Sequence, residues 1–168
     1  MSLSVTEVTV PVYLRLLAGL SRSLAKAAEF CTAKKVDPAV LITARLYPDM
    51  WSLGNQVNAV CNHAVRGTAR LAGVPVPTFD GKDASFEDLQ ARIAFAVAHL
   101  KSVDQAALNE GAERTIVFPA GGTEKKMSGK DYLLELSMPN FYFHLTTAYD
   151  ILRHNGVPLG KATFLGAR

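Results

Sequence analysis

Apolar side chains recur every three or four residues along four long stretches of this chain, which is the spacing of amphipathic helices. The first stretch predicts a helix over residues 11–34, with Pro11 in the first turn, where its missing N–H costs no hydrogen bond. The second predicts a helix over residues 51–72. Between them, an Asp-Pro pair predicts a short helix over about 37–46.

The middle of the chain predicts a linker and a third long helix. Prolines and a glycine over 74–81 predict an extended connection after the second helix. Ser85 and Asp88 have the spacing of an N-terminal capping box, and they predict a helix that runs to about Leu100. A short helical turn is predicted over 104–108.

The last third of the chain predicts a β-hairpin and a fourth long helix. A β-rich run at 115–118, followed by Gly121–Gly122, predicts a small hairpin. The fourth helix is predicted over 128–155, with a bend at Pro139. Together these elements predict one all-α domain over 1–168, a four-helix bundle with a long crossover and a small β-hairpin between helices three and four.

Composition and charge exclude several classes of protein. With 168 residues, 49% hydrophobic and 20% charged, the chain is long enough for one domain with a substantial core. The net charge of +3, on scattered basic residues, does not predict nucleic-acid binding. A membrane span and a secretory signal are not expected either. Cys31 and Cys61 lie within helical patterns, so reduced thiols and a cytoplasmic location are expected.

A polar pair lies on the apolar face of the fourth helix. Asn140 and His144 share the stripe that includes Leu133, Leu136 and Ile151. Burying an amide and an imidazole is unfavourable unless each finds a hydrogen-bond partner. His144 is therefore either a core histidine paired with a neighbouring helix or a proton donor or acceptor in a pocket, which makes it the candidate catalytic residue.

A ligand pocket is predicted between helices one, two and four, because bundles place ligand sites between facing helices. Arg45 and Asp49 are four residues apart and predict either a local ion pair or a guanidinium at the pocket mouth that holds an anion. The predicted lining residues are Tyr13, Arg45, Asp49, Gln56, Asn140, His144 and Tyr149. The motifs G-x-S-x-G, G-x-G-x-x-G, C-x-x-C and H-E-x-x-H do not occur, nor does a P-loop.

The order of elements and several short sequences resemble the DinB/YfiT-like superfamily of bacterial helical bundles. The sequences are W-S-L-G at 51–54 before the second helix, R-L-Y-P-D-M at 45–50, and L-R-H-N-G at 152–156 within the segment 139–160. The resemblance covers nearly the whole chain and is to a branch described as a domain of unknown function. It implies the DinB-like bundle fold, and many members of the superfamily are metal-dependent enzymes.

The resemblance also implies where a metal site would lie. Metal-binding relatives use one histidine on helix two and an H-x-x-x-H pair on helix four, because residues four apart share a helix face. Aligned at 153–156, the pair falls on Asn140 and His144, and the helix-two ligand falls near 58–59. His63 lies one turn further along, a displacement of about 5–6 Å.

The resemblance therefore implies a degenerate metal site, and no cofactor is expected. Asparagine is a poor ligand for a divalent transition metal, which prefers imidazole, thiolate or carboxylate. The alternative is a weakly held divalent ion at His144, Asp49 or His63.

Three functions follow, and whether the protein is an enzyme stays open. The first is small-molecule binding in the pocket between the helices. The alternative is a metal-dependent transferase or hydrolase of the DinB type, linked to a thiol cofactor. The third is a non-catalytic dimerisation module, because a helix that is apolar all round must be buried on more than one side. The predicted homodimer uses the aromatic residues of helix four, Phe141, Tyr142, Phe143 and Tyr149.

Overall fold

The computed structural model describes residues 3–166, which are mostly helical with one small antiparallel sheet. Residues 1, 2, 167 and 168 of the predicted domain lie outside the described residues. The elements in chain order are α1 (Val5–Lys34), α2 (Pro38–Thr43), α3 (Leu53–Ala72), α4 (Phe86–Ser102), α5 (Gln105–Glu110), a 3₁₀ turn (Gly111–Glu113), β1 (Thr115–Ala120), β2 (Thr123–Ser128), α6 (Gly129–Asp131), a π-helical segment (Tyr132–Ser137), α7 (Met138–His154) and α8 (Lys161–Phe164). None of the described helices has the length and apolarity to cross a membrane.

The long helix α3 lies at the centre of the packing and contacts α7, α4 and α5. Helix α1 packs against α4, α7 and α8. The main core includes Tyr13, Leu53 and Phe141, and a smaller one under the hairpin includes Leu71 and Phe118. The prediction of a mostly helical chain with a hairpin before its last long helix is confirmed.

Helix α1 begins six residues before the predicted start at residue 11, because Ser4 and Glu7 cap it. The Ser4 hydroxyl accepts a hydrogen bond from the Glu7 N–H at 3.2 Å. The Glu7 carboxylate accepts one from the Ser4 N–H at 2.8 Å. Pro11 is therefore inside the helix instead of in its first turn, and the predicted boundary was wrong.

The connection between α2 and α3 is longer than predicted. Helix α2 ends at Thr43, because Ala44 is already extended, and Trp51 precedes α3 instead of opening it. Pro48 disfavours helical backbone at the residue before it, which is consistent with an irregular loop here. The Leu53 N–H donates to the Ala44 carbonyl at 2.9 Å, and this bond closes the loop.

The fourth long helix consists of α6, the π-helical segment and α7 without a break. The π-helical segment ends two residues before Pro139. Proline lacks the N–H for the helical ladder, and its ring crowds the carbonyl four residues earlier. A wider turn just before it relieves that crowding and re-aims the side chains of the segment. The wider turn occurs where the sequence predicted a bend.

The linker between α3 and α4 is held by an ion pair between the buried Arg92 and the half-buried Asp83. Arg92, on α4, donates from Nε to Asp83 Oδ1 at 2.5 Å and from Nη2 to Asp83 Oδ2 at 2.9 Å. Asn58, on α3, donates to the same carboxylate at 2.7 Å. The Arg92 guanidinium also lies 4.5 Å from the ring centroid of Phe79. The linker is therefore tied to both α3 and α4.

We expect Asp83→Asn to lower the free energy of unfolding by about 3 kcal/mol, because it leaves the buried guanidinium of Arg92 without a counter-charge. Urea denaturation measures the change. Glu124→Gln is the matched control, since it breaks the exposed Lys126–Glu124 pair and is expected to cost less than about 1 kcal/mol. Equal losses in the two variants would contradict this account.

Candidate functional site

His144 is buried on α7, and Gln56 of α3 fixes its hydrogen bonding. The His144 Nδ1 lies 2.7 Å from Gln56 Oε1, and Gln56 Nε2 donates to the Trp51 carbonyl at 3.2 Å. Because the Trp51 carbonyl can only accept, it orients the Gln56 amide with its oxygen toward the histidine. In the neutral imidazole, Nδ1 therefore carries the proton and Nε2 carries the lone pair.

Aromatic rings surround His144 on three sides. The Trp51 ring is nearly parallel to it at a centroid distance of 5.3 Å, and the His63 ring is nearly parallel at 5.5 Å. Phe143 approaches edge-on at 5.2 Å. His63 is on α3, so the contact between these two helices brings together two imidazoles that are 81 positions apart in the sequence.

Both imidazoles of this contact are held in the neutral form at pH 7. Burial lowers the pKa of His144 below its ordinary value. The pKa of His63 is lowered to about 4, first by burial and then by His144, Arg66 and Arg70. A neutral His144 with Nδ1 committed to Gln56 can accept a proton or a hydrogen bond at Nε2.

A concavity of about 220 Å³ opens beside His144. Three of the predicted pocket residues line it together, namely Asp49, Gln56 and His144. Its other lining residues are Met50, Trp51 and Phe143. Trp51 was not among the predicted lining residues, because its position in the sequence had indicated the start of the second helix. The sequence does contain a signal for it: Trp51 directly precedes Ser52, a residue type that favours the N-cap position, so Trp51 could have been placed in the loop before the helix.

The structure places the other predicted pocket residues elsewhere. Tyr13 is fully buried against Phe141, with ring centroids 4.2 Å apart. Tyr149 packs on the α8 residue Phe164 at 5.6 Å.

Two further predicted residues bond to backbone carbonyls. Arg45 donates to the Met50 carbonyl instead of pairing with Asp49, so it stabilises the loop that presents Asp49. Asn140 donates to the Leu136 carbonyl at 2.7 Å and lines a different concavity, together with His63.

The Tyr13 hydroxyl lies in the core near the Ser137 hydroxyl. Burial raises the pKa of Tyr13, and the neighbouring Ser137 offsets this only in part. Neither hydroxyl has a hydrogen-bond partner of regular geometry within the described residues. Tyr13 therefore contributes a packed ring to the core, and its hydroxyl is only partly compensated for the loss of water.

The side chains around His144 do not match a three-ligand metal site. Within residues 3–166, no group of three or more His, Cys, Asp or Glu side chains could hold a metal ion. His63 and His144 supply two imidazoles, whereas catalytic zinc sites use three protein ligands and an open position. Asn140, at the third position expected from the resemblance, already donates its amide to Leu136.

We expect the free energy of unfolding to decrease as the pH falls from about 6.5 toward 4, in part because of His63. Its pKa is about 4 when folded and near 6.5 when unfolded, so the unfolded chain binds more protons in this range. Urea denaturation at about pH 7.5 and about pH 4.5 is expected to give a smaller decrease for His63→Gln than for the wild type. The control is His154→Gln, which replaces an exposed histidine and leaves His63 and its surroundings intact. An unchanged slope in His63→Gln would contradict this assignment.

The comparisons with known proteins agree with one another. Residues 5–165 match the family described as a domain of unknown function, DUF1993. The chain is also similar to the crystal structure of a DinB family member protein from Shewanella denitrificans, with 37% sequence identity and a TM-score of 0.89. That match covers 97% of this chain and 92% of the other. No curated protein matches the chain. The predicted resemblance is confirmed, and the chain belongs to the DUF1993 family of DinB-like proteins.

Proposed function

We propose that this protein binds a small organic molecule in the concavity beside His144. The observation that carries the proposal is the fixed imidazole, whose Nδ1 is held by Gln56 while Nε2 has no bond to another described residue. Nε2 is not one of the buried atoms without a partner, so it is open to solvent. An oriented, solvent-accessible acceptor on a largely buried side chain beside a concavity is typical of a ligand site.

The lining indicates the chemistry of the ligand. Met50, Trp51 and Phe143 form an apolar and aromatic wall, while the Asp49 carboxylate and the His144 Nε2 accept hydrogen bonds. A flat ligand with an N–H or O–H donor fits this combination. A neighbouring concavity of about 490 Å³ shares Met50 and Phe143 with the first. A ligand too large for the 220 Å³ concavity can therefore extend into the neighbouring one.

The proposal includes the arrangement of the helices. We propose that α1, α3, α4 and α7 form a DinB-like four-helix bundle in which α3 and α7 supply the two imidazole-bearing walls. The contacts of α3 with α4 and α7, and of α1 with α4 and α7, support this arrangement. The loop between α2 and α3 then covers one end of the site with Asp49 and Trp51.

A metal-dependent transferase or hydrolase of the DinB type, linked to a thiol cofactor, is the second candidate. The observation in its favour is the 5.5 Å contact between the imidazoles of His63 and His144. One equivalent of zinc, nickel or iron in the gently purified protein, lost in His144→Ala, would support it. Metal far below one equivalent in both proteins would favour the first candidate.

A dimerisation module is the third candidate, and the exposed aromatic residues near the loop favour it. Trp51 is 53% exposed and Phe143 is 56% exposed, so this surface is apolar. Of the predicted interface residues, Phe141 is buried inside the protein, and Tyr149 is half-buried against Phe164. A monomeric mass in light scattering at micromolar concentration would exclude this candidate.

A screen of small aromatic compounds by NMR tests the first candidate. We expect the bound compounds to shift the Trp51 indole and the His144 ring resonances, because these groups form the wall and the acceptor. Trp51→Ala and His144→Phe are expected to weaken binding by about tenfold or more, as the loss of one buried contact predicts.

The matched control is His154→Gln, which changes an exposed histidine on the same helix and is expected to bind like the wild type. Compounds that bind without moving Trp51 or His144, or that bind equally to all variants, would contradict the proposed site.

A further inference from the structure

A second concavity, of about 470 Å³, lies next to the proposed ligand site and has no role in it. Helix α3 forms one wall, and the π-helical segment with the start of α7 forms another. Strand β1 and the linker after α3 supply the remaining lining residues. His63 lines this concavity and His144 lines the first, so the two concavities are adjacent through the contact of these rings.

Among the described residues, those that line this concavity include basic side chains and no carboxylate. His63, Arg66 and Arg70 are three and four residues apart, so they share one face of α3. The ion pairs found within residues 3–166 involve other residues, so neither arginine has a carboxylate partner in that part of the chain. Guanidinium groups that lack a counter-charge in a concave surface favour an anion.

The Arg70 guanidinium is held in place before any ligand binds. Its Nη1 donates to the Tyr132 hydroxyl at 3.0 Å. Its Cζ lies 5.5 Å from the ring centroid of Phe118 and 5.8 Å from that of Tyr132. Because the Tyr132 oxygen accepts from Arg70, its own O–H can donate to a ligand. An arginine oriented in this way loses less conformational entropy on binding than a free one.

The remaining lining residues combine the Asn140 amide and the Thr78 hydroxyl with apolar surface. Asn140 uses one N–H for the Leu136 carbonyl and retains a second N–H and its carbonyl oxygen. The apolar lining consists of Val76, Phe118, Pro119, Ala120 and Leu136. A ligand that fits has both a charged head and an apolar body, and the volume lies in the range typical of small-molecule sites.

We propose that this concavity binds a small organic anion. Its oxyanion, a carboxylate or a phosphate, lies against Arg66 and Arg70, and its apolar body lies against β1. The planar guanidinium favours two-oxygen contacts of the kind that both groups offer.

Binding of three probes tests the proposal, namely phenyl phosphate, benzoate and inorganic phosphate. We expect phenyl phosphate to bind more tightly than inorganic phosphate, because only the former uses the apolar wall. Benzoate distinguishes a carboxylate site from a phosphate site. Backbone amide shifts in NMR are expected within 63–70, 118–120 and 132–140. Shifts confined to other parts of the chain, or no binding of any probe at millimolar concentration, would overturn the proposal.

Charge-changing variants measure the contribution of each arginine. Arg66→Gln and Arg70→Gln are each expected to weaken phenyl phosphate binding by about tenfold or more, the effect of one charge-assisted hydrogen bond. Arg70→Lys keeps the positive charge but loses the paired N–H donors of the guanidinium, so an intermediate loss of phenyl phosphate affinity is expected. The exposed Arg153→Gln on α7 is the matched control and binds like the wild type. Equal binding by Arg66→Gln, Arg70→Gln and the control would overturn the proposal.

Trp51→Ala separates this site from the one beside His144. The substitution removes a wall of the first concavity, and Trp51 is not among the residues that line the second. Phenyl phosphate binding is therefore expected to persist in Trp51→Ala, so that either proposal can fail without the other. Loss of phenyl phosphate binding in Trp51→Ala would place the anion beside His144 and overturn the second site.

Discussion

The structure around the site depends on one constraint, the free-energy penalty of burying an imidazole without a partner. His144 lies on the buried face of α7, and Gln56 of α3 meets its hydrogen-bonding requirement at 2.7 Å. The Trp51 carbonyl in turn orients the Gln56 amide. One chain of hydrogen bonds therefore links the loop before α3 to α3 and α7. The same chain fixes the tautomer of His144 and leaves Nε2 as the acceptor of a ring that lines the concavity.

The π-helical segment contributes to positioning the side chains of the second concavity, as the hydrogen-bond chain positions His144 in the first. Proline at position 139 cannot donate to the helical ladder, and the preceding turns are wider than in an α-helix. Tyr132, in that segment, accepts the hydrogen bond from Arg70, and Asn140 follows directly after the proline. The sequence predicted only a bend here. The π-helical segment that occurs instead carries Tyr132, which contacts the face of α3 that bears Arg66 and Arg70.

Periodicity predicted the long helices well, because burial of one face dominates their free energy. It failed at their ends, where local backbone geometry decides: the Ser4–Glu7 capping box extended α1, and α3 begins at Leu53 after the extended Ser52, so Trp51 lies in the loop before it. In the site, Asp49, Gln56 and His144 were predicted to line one pocket. The hydrogen bond between Gln56 and His144, and the one from Gln56 to the Trp51 carbonyl, were not predicted. The His63–His144 contact depends on how α3 packs against α7, and no spacing within one helix specifies that. The Arg92–Asp83 pair was missed for the same reason, since it joins a linker to a helix.

The most direct test of this account is the tautomeric state of His144, read from its side-chain nitrogen resonances in long-range proton–nitrogen NMR spectra at neutral pH. The account predicts a neutral ring protonated at Nδ1 with an unprotonated Nε2, and a change in that state in Gln56→Leu. A ring protonated at Nε2, or a doubly protonated ring at neutral pH, would contradict the hydrogen-bond chain on which the proposed site depends.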